Sequence, residues 1–378
     1  MDYEENKEIG YAKGYEDLVK VSNEDMFPGY IKKEVQESIE RIKKSLSGET
    51  ESFVFFTDNH YMPAKGHDVN LTRTMNAYKM IAENAEIDKI FLGGDHTVDG
   101  DKEHKLSFFK AFRRYFDGKK YFPVNGNHDD GTIWDRAFIN AKKSVNHLTH
   151  KELYDVFYNH LPKNHVDFEG KNLLYYTYDE KRTKTRYVCL DVGDIPYIYE
   201  NGILKYLGIY TMAMSQKQID WLINKALKFD EDGWSVIFIS HWAPLELDGK
   251  GDNKYLEHLW DIADAYKEGE DLEKEYYDGD FKVNLKAEFS KYKRADIVGF
   301  FIGHNHVDRA SETNSGIPVI STGNAGMFNS GEKNGGFEVT RNDGDKSEIL
   351  FDVVTVNKEE RKISLTRVGV GKDRKFLY

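Results

Sequence analysis

Phe53-Val-Phe-Phe-Thr-Asp-Asn-His60 runs an apolar strand straight into two ligand-type side chains, and Lys89-Ile-Phe-Leu-Gly-Gly-Asp95 repeats the arrangement. Unbroken apolar runs of this kind suit strands covered on both faces. Between them Leu71, Met75, Tyr78, Ile81 and Ala82 recur at helix spacing, so strand, helix and strand make a β-α-β unit. The pattern continues with a helix expected over His104–Phe116 and a strand at Tyr121-Phe-Pro-Val124. Upstream, Ile31, Val35, Ile39, Ile42 and Leu46 predict an amphipathic helix, while the chain before about Pro28 lacks apolar periodicity and reads as an arm.

Downstream, Leu173–Thr177 and Arg186–Asp191 read as strands of a meander. Ser215 and Gln218 form a capping-box pattern ahead of a helix that carries Ile219, Leu222 and Ile223. Val236–Ile239, Ile297–Ile302 and Ile317–Ser321 are further short strands. The acidic stretch from 246 to 293, with a helix expected around Leu256–Tyr266, reads as a helical insertion. Phe351–Val356 and Lys362–Arg367 predict a C-terminal β-hairpin. The class is α/β, with an arm and helix over 1–50 and one large domain over 51–378.

Chemistry gathers where these strands stop. Asp58 and His60 stand two apart, a spacing that keeps both on one side of extended backbone. Gly93-Gly94-Asp95 turns the chain tightly and offers a carboxylate able to give one oxygen to each of two cations. Gly126-Asn127-His128-Asp129 adds an amide oxygen and an imidazole beside a carboxylate. Ser240-His241 and Gly303-His304-Asn305-His306 close two later strands. Taken singly, each block also fits a turn or a capped loop. Five strand ends bearing such groups fit a ligand site, because open α/β sheets bind beyond the carboxyl ends of their strands.

Composition narrows the setting. The chain has 378 residues with 39% apolar side chains, enough for a large core, and a net charge of -12 from 53 basic and 65 acidic residues. No basic block offers a footprint for a phosphate backbone, so nucleic acid is an unlikely partner. An acidic protein repels anions unless bound cations reverse the field locally. Cys189 is the single cysteine, which excludes an internal disulfide and a cysteine-rich zinc site. The acid-rich start, Met1-Asp-Tyr-Glu-Glu5, lacks a signal-peptide pattern, and no segment approaches a membrane span. The expectation is a cytoplasmic protein without membrane association.

In order, D-x-H, G-D, G-N-H-[DE], a solitary H and G-H-x-H resemble the motifs of the calcineurin-like metallophosphoesterase family, over roughly Phe53 to Gly323. The resemblance implies a four-layer αββα sandwich with two mixed β-sheets. It further implies that Asp58, His60 and His306 bind one metal, that Asn127, His241 and His304 bind a second, and that Asp95 bridges them. His128 would then face the substrate as hydrogen-bond or proton donor, with Asp129 holding its ring. Asp99 lies one position later than the matching carboxylate of the family's phosphoprotein phosphatases, which argues against that subgroup.

Two cations about 3.5–4 Å apart clamp a phosphoryl oxygen and hold a bridging hydroxide, so the expected activity is hydrolysis of a small-molecule phosphomonoester or phosphodiester. Mixed nitrogen and oxygen ligands suit manganese, iron, zinc, cobalt or nickel. A metal-binding scaffold without turnover and a nuclease stand as alternatives.

Overall fold

A computed structural model of the chain describes residues 27–47, 49–61, 67–98, 108, 120–132, 147–159, 161, 166–168, 170, 172–243, 257–327 and 339–378. The expected arm over the first 26 residues, nearly all of the expected helix His104–Phe116, and Asp99 lie outside them.

Helix α1 (Gly29–Ser45) buries Ile31, Val35, Ile39 and Ile42 along one stripe, and Lys43 and Lys44 in its last turn complement the helix dipole. Strand β1 (Glu51–Phe56) follows. Helix α2 (His67–Ala85) then leads to β2 (Lys89–Leu92), and β3 (Lys120–Pro123) comes next. These three strands pair in parallel. After a short helix α3 (His150–Leu153) come β4 (Val166–Phe168), β5 (Tyr176–Glu180) and β6 (Thr185–Cys189). A small hairpin, β7 (Tyr199–Glu200) and β8 (Ile203–Leu204), precedes α4 (Gln216–Trp221) and β9 (Ser235–Ile239). Helix α5 (Glu257–Glu268) is followed by a hairpin of β10 (Asp271–Asp278) and β11 (Phe281–Glu288). Strands β12 (Asp296–Ile302), β13 (Arg309–Glu312) and β14 (Pro318–Ser321) come next. The chain ends with β15 (Leu350–Asn357), β16 (Lys362–Gly369) and β17 (Arg374–Leu377).

Two mixed sheets result, a six-stranded one in the order β17-β16-β15-β1-β2-β3 and a seven-stranded one in the order β13-β14-β12-β9-β6-β5-β4. They face each other through aromatic side chains. Phe53 of β1 meets Phe301 of β12 edge-on with ring centroids 5.3 Å apart, and Phe91 of β2 stacks on Tyr187 of β6 at 4.4 Å. Helices α1 and α2 share the apolar cluster of the first sheet, while α4 and α5 share the one that covers the second. The four-layer α/β sandwich is thereby complete. Truncating Phe53, which is fully buried, removes its own share of the contact between sheets and costs about 3–5 kcal/mol.

Three elements differ from the sequence expectation. The acidic stretch near 246–293 is not helical throughout, because β10 and β11 form an antiparallel hairpin around Gly279-Asp280. Its buried side chains Val283, Leu285 and Ala287 alternate with exposed charged and polar ones, and that charge masks the strand period. The C-terminal hairpin gains a third strand, β17, paired with β16, and enters the first sheet through β15 beside β1. The box at α4 is half formed. Ser215 caps the Gln218 N–H, but the Gln218 side chain turns away to the Asp191 backbone.

Candidate metal centre

Strands β1, β2, β3, β9 and β12 all end at one rim, so residues far apart in the chain meet there. Asp58, His60, Asp95, His304 and His306 all hold positive φ angles between 45° and 68°. Left-handed backbone at non-glycine residues costs of order 1–3 kcal/mol each and persists only where surrounding structure over-determines it, as at active sites. Close approach also demands glycine. A Cβ on Gly303 would stand 2.0 Å from Thr57 Oγ1, and one on Gly126 would stand 2.2 Å from the Asp95 nitrogen.

All seven expected ligands converge. One ligand-type atom from each of Asp58, His60, Asp95 and His306 lies within 4.8 Å of the others, as does one from each of Asp95, His241 and His304, so Asp95 belongs to both groups. His60 Nε2 and His306 Nε2 are 2.9 Å apart, and His306 Nε2 is 3.1 Å from Asp58 Oδ1. In the other group Asn127 Oδ1 lies 2.9 Å from both His241 Nε2 and His304 Nδ1. Asn127 Nδ2 donates to the Ile209 carbonyl at 3.4 Å, which turns the amide oxygen inward. His241 Nδ1–H donates to the Gly93 carbonyl at 2.7 Å, leaving the Nε2 lone pair for the site.

Asp95 departs from the expectation of one oxygen per cation. Oδ2 is 3.5 Å from His60 Nε2 and 3.3 Å from His241 Nε2, whereas Oδ1 accepts the backbone N–H of His128 at 2.8 Å. One oxygen therefore faces both groups. Asp58 accepts from the His304 backbone N–H at 2.9 Å and from the Thr57 hydroxyl at 2.7 Å through Oδ2.

Burial alone would raise the carboxyls, but neighbouring imidazoles outweigh it. His306 holds Asp58, and His241 holds Asp95, below the usual carboxylate range. Burial pushes the rings of His60 and His304 down, each to about 3. His241 goes the other way, since the field of Asp95 overcomes burial and raises it to about 9. At neutral pH His60 and His304 therefore offer neutral, lone-pair-bearing nitrogens beside the ionised carboxylates, whereas the proton that Asp95 holds on His241 is one that a divalent cation would displace. Ligand atoms about 2.1 Å from one ion at right angles stand roughly 3 Å apart, close to the nitrogen and oxygen separations seen here. The donor set fits divalent metal ions.

Asp129 does not hold the His128 ring as expected from their adjacency. Its two oxygens accept the backbone N–H groups of His96 at 3.0 Å and Gly126 at 2.9 Å. The His128 ring is held instead by the Val98 carbonyl, toward which Nδ1 points, and meets His60 edge-on at 4.7 Å. His96, next in the chain after Asp95, is part of the packing beneath the site. It is buried, stacks on Phe108 and donates through Nε2 to the Val124 carbonyl at 3.0 Å. Thr57 was missed in the sequence, where its only signal is a hydroxyl closing an apolar run.

Carboxylates, imidazoles and an amide gathered at the strand ends of a four-layer sandwich make a donor set suited to divalent cations. Residues 52–308 match the model of the calcineurin-like phosphoesterases, and the chain belongs to that family. In fold it is similar to a dimetal phosphatase from Danio rerio, at 13% identity and a TM-score of 0.55 over 86% of this chain and 98% of the other. Weaker likenesses include GAP50, the anchor in the inner membrane complex of Plasmodium, at 13% identity and a TM-score of 0.47 over 87% of this chain and 89% of that one. Another is a purple acid phosphatase from yellow lupin, at 12% identity and a TM-score of 0.46 over 88% of this chain and 54% of that one. No curated protein matches the chain significantly. Among the described residues no helix is long and apolar enough to cross a membrane.

Proposed function

We propose that the protein hydrolyses phosphomonoesters or phosphodiesters of small molecules with a pair of divalent transition-metal ions. Asp58, His60 and His306 would hold one ion, Asn127, His241 and His304 would hold the other, and Asp95 would serve both. When bound, the pair supplies Lewis-acid polarisation of the phosphoryl oxygens and a hydroxide nucleophile. The observation that carries this reading is the position of Asp95 Oδ2, 3.5 Å from His60 Nε2 and 3.3 Å from His241 Nε2, between two separate sets of ligand atoms.

His128 is the catalytic side chain of the protein itself. Its Nδ1 is engaged by the Val98 carbonyl, so Nε2 is the nitrogen left to donate a hydrogen bond to the phosphoryl group or a proton to the leaving oxygen. Asp129 acts as a positioning residue. By accepting from His96 and Gly126 it ties the turn after β2 to the turn after β3, and His128 rides on the second of these. A reducing compartment accords with the single, buried Cys189.

The test is metal analysis of the purified chain with parallel assays on a phosphomonoester and a phosphodiester. Two ions per chain and turnover of at least one ester are expected. Ions without turnover of either ester would leave a metal-binding scaffold, and salt-dependent binding of DNA or RNA would favour a nuclease.

A further inference from the structure

Three buried or nearly buried arginines, Arg341, Arg367 and Arg374, come after the family match ends at residue 308. Arg341 is 1% exposed, and all five of its N–H donors go to backbone carbonyls. Nη1 reaches Asn324 at 3.0 Å and Gly326 at 3.4 Å, Nη2 reaches Ala325 at 3.2 Å and Glu348 at 2.7 Å, and Nε reaches Ser347. Three of these carbonyls are consecutive. The amides of the same loop point the opposite way, Ala325 N–H donating to the Thr57 carbonyl at 2.8 Å and Gly326 N–H to the Asp58 carbonyl at 3.1 Å. The left-handed turn at Asp58 is thus clasped by a loop that Arg341 holds from behind.

Arg367 does the corresponding work on the other side. Its guanidinium bonds Asp308, two residues beyond His306, at 2.6 Å and Asp352 at 2.9 Å. The same Asp308 oxygen accepts the Gly323 N–H at 3.0 Å, at the head of the loop that Arg341 clasps. The turn carrying Asp58 and the turn carrying His306 are both fastened to the C-terminal strands. Around His241 and Asn127 the supports are different, the carbonyls of Gly93 and Ile209, and His304 is tied to the first group through its backbone N–H on Asp58.

We propose that Arg341 and Arg367 are positioning residues for the ion held by Asp58, His60 and His306, and not for the ion held by Asn127, His241 and His304. The inference rests on the two-ion reading above. Groups that orient ligands typically change metal affinity about 10–100-fold when altered. Lysine keeps the charge of Arg341 but has three donors for five carbonyls, so Arg341→Lys separates charge from geometry. Asp308→Asn is the second variant. Its side chain is 21% exposed and its loss weakens the Arg367 tie without removing a buried cation.

The experiment titrates the full-length chain with manganese(II), following bound ions per chain and the paramagnetic signal of coupled against isolated ions, with circular dichroism to check the fold. Wild type should bind two coupled ions. Arg341→Lys and Asp308→Asn should each keep one ion at wild-type affinity, bind the second about 10–100-fold more weakly, and recover the coupled signal at high manganese. Adding His241→Ala to either variant should leave no tight site. Should Arg341→Lys fail to fold, Asp308→Asn alone decides. Two tight ions in the folded variants, or equal weakening of both sites, would overturn the inference while sparing the two-ion reading. A wild-type chain that binds no pair would overturn both.

Discussion

The two halves of the candidate metal centre are built differently. The half around Asn127, His241 and His304 leans on short-range supports at adjoining strand ends, with the His241 ring fixed by the carbonyl of Gly93, two residues before Asp95. The half around Asp58, His60 and His306 sits on two left-handed turns whose carbonyls and carboxylates are tied to a loop over 322–326 and, through it, to arginines near the end of the chain. Apart from the His304 N–H that bonds Asp58, one half borrows rigidity from the sheet and the other from a polar network around the 322–326 loop. Substitutions should therefore act on one half, the other, or both, according to which supports they touch.

Asp95→Asn should have the largest effect, because the shared oxygen serves both halves. Both ions should be lost and hydrolysis should fall to background, read by metal analysis and a phosphoester assay. Full turnover with two ions retained would remove the shared role. His128→Ala should come next, with metal content near wild type and a rate loss of about 10²–10⁴, the usual range for an acid-base group. Loss of metal would make His128 a ligand.

Thr57→Val tests the half that leans on loops. It deletes the 2.7 Å hydrogen bond to Asp58 Oδ2 at nearly constant volume, so the ion at Asp58 should bind about 10–100-fold more weakly while the other is unchanged. Equal weakening of both, measured by isothermal titration, would erase the distinction between the halves.

The smallest effect concerns the backing of the other half. Asp191 Oδ1 accepts from Gly193 N–H at 2.9 Å and from Asn125 Nδ2 at 3.4 Å, two residues before Asn127. Burial, opposed by His150 and joined by Asp194, raises its carboxyl from 3.8 to about 6. The folded-state value lies above the unfolded one, so the stabilising effect is full below about pH 4 and is lost as pH rises through about 6. Asp191→Asn should remove that slope. Compared with the variant, wild type should lose on the order of 1–3 kcal/mol between those limits in denaturant titrations, with no change in metal stoichiometry. Parallel pH profiles for the two proteins would show that Asp191 does not titrate there.

The same division governs what could be seen in the sequence. The seven side chains that meet at the candidate site were legible because each ends an apolar run at a glycine or polar stop, and the sheets gather such ends at one rim. Their supports were not. Asp129 follows His128 directly, which suggested a side-chain contact, but the tight turn aims its carboxylate at backbone N–H groups instead. Arg341 lies in a polar stretch with no period, and its burial depends on the carbonyls of Asn324, Ala325 and Gly326 on one side and of Ser347 and Glu348 on the other. The hairpin of β10 and β11 was hidden by charge, since its exposed face carries Glu273, Glu275, Lys282 and Lys286. Motifs record side chains that meet a ligand, whereas the groups that hold those side chains are chosen by the fold and leave little local trace.

The most direct measurement of the central claim is the paramagnetic spectrum of the full-length protein titrated with manganese(II). Sharing of Asp95 Oδ2 predicts a spin-coupled pair that grows to two ions per chain and disappears in Asp95→Asn. A single uncoupled ion at saturation, or a coupled pair that survives Asp95→Asn, would contradict it.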